Sequence, residues 1–425
     1  MPLAHPVALV LATAFIATST WRGRLHPFLA VLAAAAAFAL LTGMSISQFG
    51  KSFGNGFGET VDNLGLPVLA AAMIAALAEP IVPFALARLP LIPGLCGLGL
   101  IAGTAASAGG AFAVLTPLCT RIAGRAPRRA ALTLGLAISA GQAALLPSPV
   151  LIAATAILAA PWTRVVMFGL PLALVGAALG AALASLAART WPQPQDAPPA
   201  PTPVGTRTIA VAAGCLAMLA LLIIQSVGYM PTEPWGGGSS RELILGVGRP
   251  VVLLCVGVAI VALATRGWRD MSDSGWIAVA ISRAAPLILL LGAAGGLQSL
   301  TQTVHMAELV AERVLPLGLG LAVPFLAAAA MKLLQGSSLT AAITAAGMVQ
   351  TMLPALGIAD DTGRALAVLA IGAGAMTGAH VNDGFFWLIA DGAALRPARA
   401  LLAVTAATLA QGVVALGILV AFHAL

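Results

Sequence analysis

Apolar runs long enough to cross a bilayer recur along the whole 425-residue chain. A membrane-spanning helix needs about 20 apolar residues, and lipid offers no partner to an exposed backbone group. Long uninterrupted runs, rather than short alternating ones, select helices, so the chain reads as an all-α polytopic membrane protein. Composition agrees: 60% of residues are hydrophobic and 8% charged, where soluble domains carry about 25% charged residues. The first run, 7-VALVLATAFIATST-20, has no basic segment before it and reads as a membrane helix, not a cleaved signal. The net charge of +7 comes from arginines in short loops, where they orient the helices, and it does not point to nucleic acid. Cys96, Cys119, Cys215 and Cys255 are dispersed in apolar segments without metal spacing. They are expected as small buried hydrophobes, and neither a metal nor a cofactor is expected.

One clear composition break, 189-RTWPQPQDAPPAPTPVGTRT-208, is Pro-rich and too irregular for a helix. It divides the chain into a first transmembrane repeat (1–188), a cytoplasmic linker (189–207) and a second repeat (208–425). The first repeat predicts helices near 5–20, 27–44 and 64–86, then the interrupted segment 99-GLIAGTAASAGGAFAVLTPL-118. A helix broken at 147-PSP-149 and a closing helix near 163–188 complete it. The second predicts helices near 208–229, 246–265 and 277–297, then the interrupted 333-LLQGSSLTAAITAAG-347. Its broken helix lies at 380-HVND-383 and its closing helix near 398–422. The pattern therefore implies two inverted repeats, each with three helices, a re-entrant hairpin, a broken helix and a closing helix, making about ten full spans. Charge supports the hairpins. If 94–120 dips in and returns, then Arg22, Arg24, Arg88, the cluster in 121-RIAGRAPRR-129, Arg189 and Arg207 share one side. In the first repeat only Lys51 and Arg164 face the other, so the Arg-rich side is the cytoplasmic one.

Polar groups in such a chain need partners. His380, Asn382 and Asp383 fall within four residues of an otherwise apolar region. Unwound backbone at membrane depth is tolerated where protein buries it or it lines a water-filled cavity. Helix ends at that cavity present free N–H groups and positive dipole ends to a carboxylate. A single Gly/Ser/Thr kink is as well explained by close helix packing; two kinks paired with two broken helices favour a binding site. Lys332 either snorkels from a helix end or sits near an anionic substrate. Glu79, Glu59 and Asp62 are the acidic candidates of the first repeat, the last two inside 50-GKSFGNGFGETVDN-63, which reads as an interfacial turn. The stretch 235-WGGGSSRE-242 lacks the GK[ST] ending of a phosphate loop and reads as an external linker. An intramembrane hydrolase would need a nucleophile motif such as GxSxG, which is absent, and a passive channel is the other alternative.

The segment 367-AVLAIGAGAMTGAHVNDGFFWLI-389 resembles the C-terminal signature of the gluconate permease family. Similarity extends to 335-QGSSLTAAITAAG-347, 53-FGNGFGETVDNLG-65 and the helix in 27-PFLAVLAAAAAFALLTGM-44, so it touches both repeats. The resemblance implies a secondary active transporter of the bacterial inner membrane, without enzymatic activity. It would carry gluconate or a related small hydroxy acid in symport with protons, on an ion-transporter scaffold of inverted repeats. The first repeat departs from the family pattern: Gln142 and Ser148 stand where histidines are usual, Gly109 where a glutamate is, and Ala76 where a basic residue is. Lys332 replaces a common arginine. Sodium coupling therefore stays open as the alternative, as does a homodimer. The substrate site is expected from Gln335, Ser337, Ser338 and Thr340 with Lys332, and from His380, Asn382 and Asp383. Gly103, Thr104, Ser107, Gln142 and Ser148 supply the opposite wall. Asp383, His380 and Glu79 are the expected proton carriers.

Overall fold

A computed structural model describes residues 4–20, 25–77, 91–123, 127–191, 206–269, 272, 275–304 and 319–424. Glu79, Arg22, Arg24, Arg88 and most of the Pro-rich linker lie outside the described residues. Among the described residues every regular element is a helix. Up to Thr190 the order is α1 (Ala4–Thr20), α2 (Pro27–Leu41), α3 (Ile46–Leu77), α4 (Leu91–Gly103) and α5 (Ala108–Ala123), then α6 (Pro127–Ala144), α7 (Pro149–Ile157) and α8 (Trp162–Thr190). From Thr206 it is α9 (Thr206–Gly228), α10 (Ser239–Val247), α11 (Pro250–Thr265) and α12 (Trp276–Thr303). Then follow α13 (Ala322–Gln335), α14 (Ser338–Gln350), α15 (Asp361–Ala375), α16 (Gly384–Gly392) and α17 (Pro397–Ala424).

The two series match in order. The pairs α4–α5 and α13–α14 are hairpins with short tips, α6–α7 and α15–α16 are broken helices, and α8 and α17 close each series. Six of the described helices are long and apolar enough to cross a membrane, or seven if α10 and α11, bent by 60°, count as one span. The ten spans expected from sequence are thus not all met at bilayer length: α1 and α2 are shorter, and α15–α16 is broken.

Two arginines fix the direction of the broken helices. Arg128, in the first turn of α6, donates to Ala393 O (2.9 Å) and Ala394 O (3.1 Å) just beyond α16, and to Trp191 O (3.5 Å) just beyond α8. Arg164, in the first turn of α8, donates to the Thr362 hydroxyl and lies 3.9 Å from Asp361, both in the first turn of α15. The start of α6 therefore meets the end of α16, while the segment after α7 meets the start of α15. The two broken helices run antiparallel. They touch near their breaks, where a Cβ on Gly372 of α15 would fall 2.2 Å from Ala143 O of α6. Both are buried on all sides, α6 throughout Ala130–Ala144 and α15 throughout Ala365–Ala375, as expected of helices apolar around their whole circumference. Large exposed apolar side chains such as Leu40, Leu170, Leu263 and Val413 lie on the outer helices, where a lipid-facing surface needs them.

The stretch 50–63 is a correction to the sequence reading. It is the first half of α3, opened by a Ser45–Gln48 capping box and passing through a π-helical turn at Val61–Gly65. Gly56 serves helix contact, not a turn: a Cβ there would lie 2.4 Å from Gly295 O of α12, and Phe53 and Phe57 fill the room left by Gly296 and Gly292. The segment read as a linker at 235–242 is a turn only as far as Gly238, because α10 begins at Ser239. Of the cysteines, Cys119 and Cys215 are buried, but Cys255 is exposed. Packing of α3 on α12 generates a prediction. Gly56→Val should lower the melting temperature of the detergent-solubilised protein, since overpacking costs about 1–3 kcal/mol. Gly58→Ala, which meets open space, should not lower it. Equal melting temperatures for the two variants would show that α3 and α12 do not touch at Gly56.

Candidate functional site

Both hairpin tips and the second helix break converge on a cavity of about 430 Å³. The tip of α4–α5 lines it from Ala106 to Gly110, that of α13–α14 from Gly336 to Thr340, and the second break at Asp383. Three helices begin there, each capped by its own polar residue. Ser107 Oγ accepts from Gly110 N–H (3.0 Å) at the start of α5, and Ser337 Oγ from Thr340 N–H (3.2 Å) at the start of α14. Asp383 Oδ1 accepts from Phe385 N–H (2.9 Å) at the start of α16. The first turns of all three helices line the cavity, which puts their positive dipole ends at its wall.

Of the residues expected from sequence, Ser107, Gln142, Ser337, Ser338, Thr340 and Asp383 line this cavity together. The others stand behind it. Gly103 packs against the α6 backbone, where a Cβ would meet Gln142 N at 2.6 Å, and the Thr104 hydroxyl turns back to Ile101 O (2.7 Å). Ser148 is fully buried and staples the first break, donating to Gln142 O at 2.7 Å. His380 Nε2 and Asn382 Nδ2 both donate to Leu333 O, at 2.8 and 3.2 Å, occupying a carbonyl that the end of α13 leaves without a helical partner. Buried and without a partner are His380 Nδ1, Asn382 Oδ1 and Gln335 Oε1.

Lys332 does not snorkel. It is 2% exposed, and its Nζ lies 2.6 Å from Asp383 Oδ2 and 2.7 Å from Gly336 O. Gly336 holds the left-handed conformation (φ 76°) that ends α13, and a Cβ there would meet Asn382 O at 2.3 Å. Both demands select glycine. The ion pair therefore joins the second hairpin to the second break beneath the cavity, and it consumes the charge of Asp383. Among the described residues, no Lys, Arg or His lines the cavity itself.

Sequence reasoning named Glu59 as an acidic candidate but placed it in a turn, and it missed the rest of the third wall. Glu59, Thr60 and Asn63 on α3 line the cavity, as do Gln298, Ser299 and Gln302 on α12, with Gln225 of α9 and Tyr229 just beyond its end. The signal was present as helical spacing: Glu59 and Asn63 are four apart, and so are Gln298 and Gln302, so each pair falls on one face of its helix.

The buried ion pair yields a stability prediction. Lys332→Met alone should cost about 3–5 kcal/mol, because it strands a buried carboxylate, and Asp383→Asn alone should cost a similar amount. The Lys332→Met/Asp383→Asn double variant should be far more stable than the sum of the two. A double-mutant cycle from thermal melts in detergent measures this, and additive losses would mean the pair is not formed.

The profile of the GntP family permeases matches residues 5–425. A gluconate permease of Pseudomonas aeruginosa is 25% identical over 407 residues, spanning 87% of this chain and 86% of its own length. The high-affinity gluconate transporter of Escherichia coli K12 is 25% identical over 397 residues, covering 86% of each chain. Among solved structures, the YdaH transporter of Alcanivorax borkumensis aligns over 99% of this chain and 96% of its own, with 17% identity and a TM-score of 0.37. A family match over almost the whole chain, on a set of long apolar helices, identifies an integral membrane permease and not an enzyme: the chain belongs to the GntP family of permeases.

Proposed function

We propose that this permease is a secondary active transporter of the bacterial inner membrane that carries gluconate or a related small hydroxy acid in symport with protons. The observation that carries the anion reading is the convergence of three helix N-termini on one cavity, with no lysine or arginine in its wall among the described residues. Such ends attract a carboxylate through N–H groups and dipole alone. The cavity volume of about 430 Å³ falls in the range of small-molecule sites, about 300–1,000 Å³. Its serine, threonine, asparagine and glutamine side chains both donate and accept hydrogen bonds, which suits a polyhydroxylated chain. Relatives named for gluconate support the substrate class.

The proton reading rests on Glu59. A site that takes an anion but carries a carboxylate in its wall favours proton and anion entering together, because like charges in one cavity repel, and the linkage is reciprocal. Asp383, expected from sequence as the first proton carrier, has one oxygen on Lys332 and the other on Phe385 N–H. Glu59 therefore takes precedence over Asp383 and His380. In proteoliposomes, a pH gradient should drive accumulation of gluconate, tested within a panel of sugar acids. Glu59→Gln should abolish accumulation on the gradient while exchange of labelled substrate persists. A Glu59→Gln variant that still accumulates substrate on a pH gradient returns the proton role to Asp383 or His380.

The antiparallel broken helices and the helix order that occurs twice support two repeats of inverted orientation, 1–188 and 208–425, joined by a cytoplasmic linker. Single cysteines at Ala126 and Ala200 of a cysteine-free version should both resist impermeant thiol reagents in intact cells. Labelling of one and not the other means that the segment 94–120 crosses fully, which removes the inverted repeat.

A further inference from the structure

We infer that Lys332 is a tethered cation: its ammonium fills the place between the second hairpin tip and the second helix break that a coupling sodium ion would otherwise take. The proposal rests on the reading of the chain as an ion-coupled transporter, and it names the device that frees transport from sodium.

The geometry is that of a cation site with its occupant built in. In transporters made of broken helices, unwound carbonyls and the C-terminal ends of half-helices hold the coupling cation. Here the C-terminal end of α13 supplies Gly336 O, 2.7 Å from Lys332 Nζ, and the end of the break supplies Asp383 Oδ2, 2.6 Å away. A carboxylate oxygen and a backbone carbonyl are the hard oxygen donors that alkali and alkaline-earth cations select. Lys332 lies in the last turn of α13, where the helix dipole also favours positive charge. Its side chain is 2% exposed, so the charge serves this site and not the membrane surface.

A second observation comes from the orphaned acceptors. Gln335 Oε1 and Asn382 Oδ1 are buried without partners, and they belong to the same two segments that carry Gly336 and Asp383. Oxygen in excess of what the ammonium uses is what a small cation would recruit if the ammonium were removed. While Lys332 is present, a sodium ion at Asp383 meets a like charge already seated there and is repelled.

The test uses full-length protein in detergent and in proteoliposomes. Melting temperatures of wild type, Lys332→Ala and Lys332→Ala/Asp383→Asn are compared in sodium, lithium and choline chloride at equal ionic strength. Lys332→Ala should regain much of its lost melting temperature in sodium or lithium but not in choline. Wild type and the double variant should show no preference among the three salts. Lys332→Ser, which contributes an oxygen of its own, should show the same salt preference as Lys332→Ala and keeps the test open if alanine does not fold. Gluconate accumulation by wild type should be the same with sodium or choline outside, whereas Lys332→Ala or Lys332→Ser should require sodium. Wild-type uptake that depends on sodium overturns the tethered cation and leaves the transporter reading intact. A sodium-selective melting shift in the variants, with no sugar acid transported by wild type, sustains the tethered cation and overturns the substrate reading. The same melting temperature in all three salts for both single variants overturns it outright.

Discussion

Every backbone group freed by a break in a membrane helix must find its partner inside the protein, because lipid supplies none. The two breaks meet that demand to different degrees. The first is short, residues 145–148, and two hydroxyls close it: Ser148 donates to Gln142 O and Ser226 of α9 to Pro147 O. The second runs from 376 to 383 and needs many more partners. Thr405 Oγ1 donates to Ala379 O, Thr408 Oγ1 accepts from Ala379 N–H, and Trp387 Nε1 donates to Val381 O. His380 and Asn382 turn instead to the end of α13, and Lys332 ties Asp383 to Gly336 O. The polar residues of 380-HVND-383 are thus first of all the backbone's partners and hinge bonds, and only Asp383 among them reaches the cavity wall.

That difference explains what was legible in the sequence. His380, Asn382, Asp383 and Lys332 stood out because polar side chains in an apolar region are costly unless paired, and they are paired or packed with one another. The hairpin tips were legible for the same reason, as Gly/Ser interruptions of apolar runs. The 50–63 stretch misled because glycine carries two meanings. In water it marks turns, whereas between membrane helices it permits close approach, as Gly56 does against Gly295. Once the stretch was read as a turn, Glu59 and Asn63 lost their helical spacing, and with it the face they present to the cavity. The matching face on α12, Gln298 and Gln302, had no partner to be recognised with. The pairing of Lys332 with Asp383 joins positions 51 apart in the chain and depends on the hairpin folding back on the break, which no local pattern encodes.

The charge arrangement follows from burial. An arginine or lysine in the cavity wall would hold an anion strongly at both faces of the membrane, and a transporter must also release it. Helix N-termini attract anions with partial charges that fade within a turn, which favours binding that is reversible. The full positive charge of Lys332 lies one layer deeper, cancelled by Asp383. Among the described residues, the walls of the cavity are therefore close to neutral apart from Glu59, and what they offer is oriented N–H groups and hydroxyls.

The same hydrogen bonds divide the cavity into two walls. Ala106 N–H donates to Leu222 O (3.1 Å), which ties the first hairpin tip to α9, and Ser226 ties the first break to that same helix. On the opposite side, the second hairpin tip is bonded to the second break through Leu333 O, Gly336 O and Lys332, and the break is bonded onward to α17 through Thr405 and Thr408. Each wall is cross-bonded within itself by buried polar contacts that are expensive to leave unmade. Where α6 and α15 cross, small residues such as Ala143 and Gly372 press together, while Gln411 of α17 donates to Leu136 O of α6 (3.0 Å) and Gly176 O of α8 (2.7 Å) and so bonds the walls to each other. Each broken helix is thus held to its own hairpin or neighbouring helix by buried polar contacts near the cavity, and to its counterpart by small-residue packing in the middle and by arginines at the two ends.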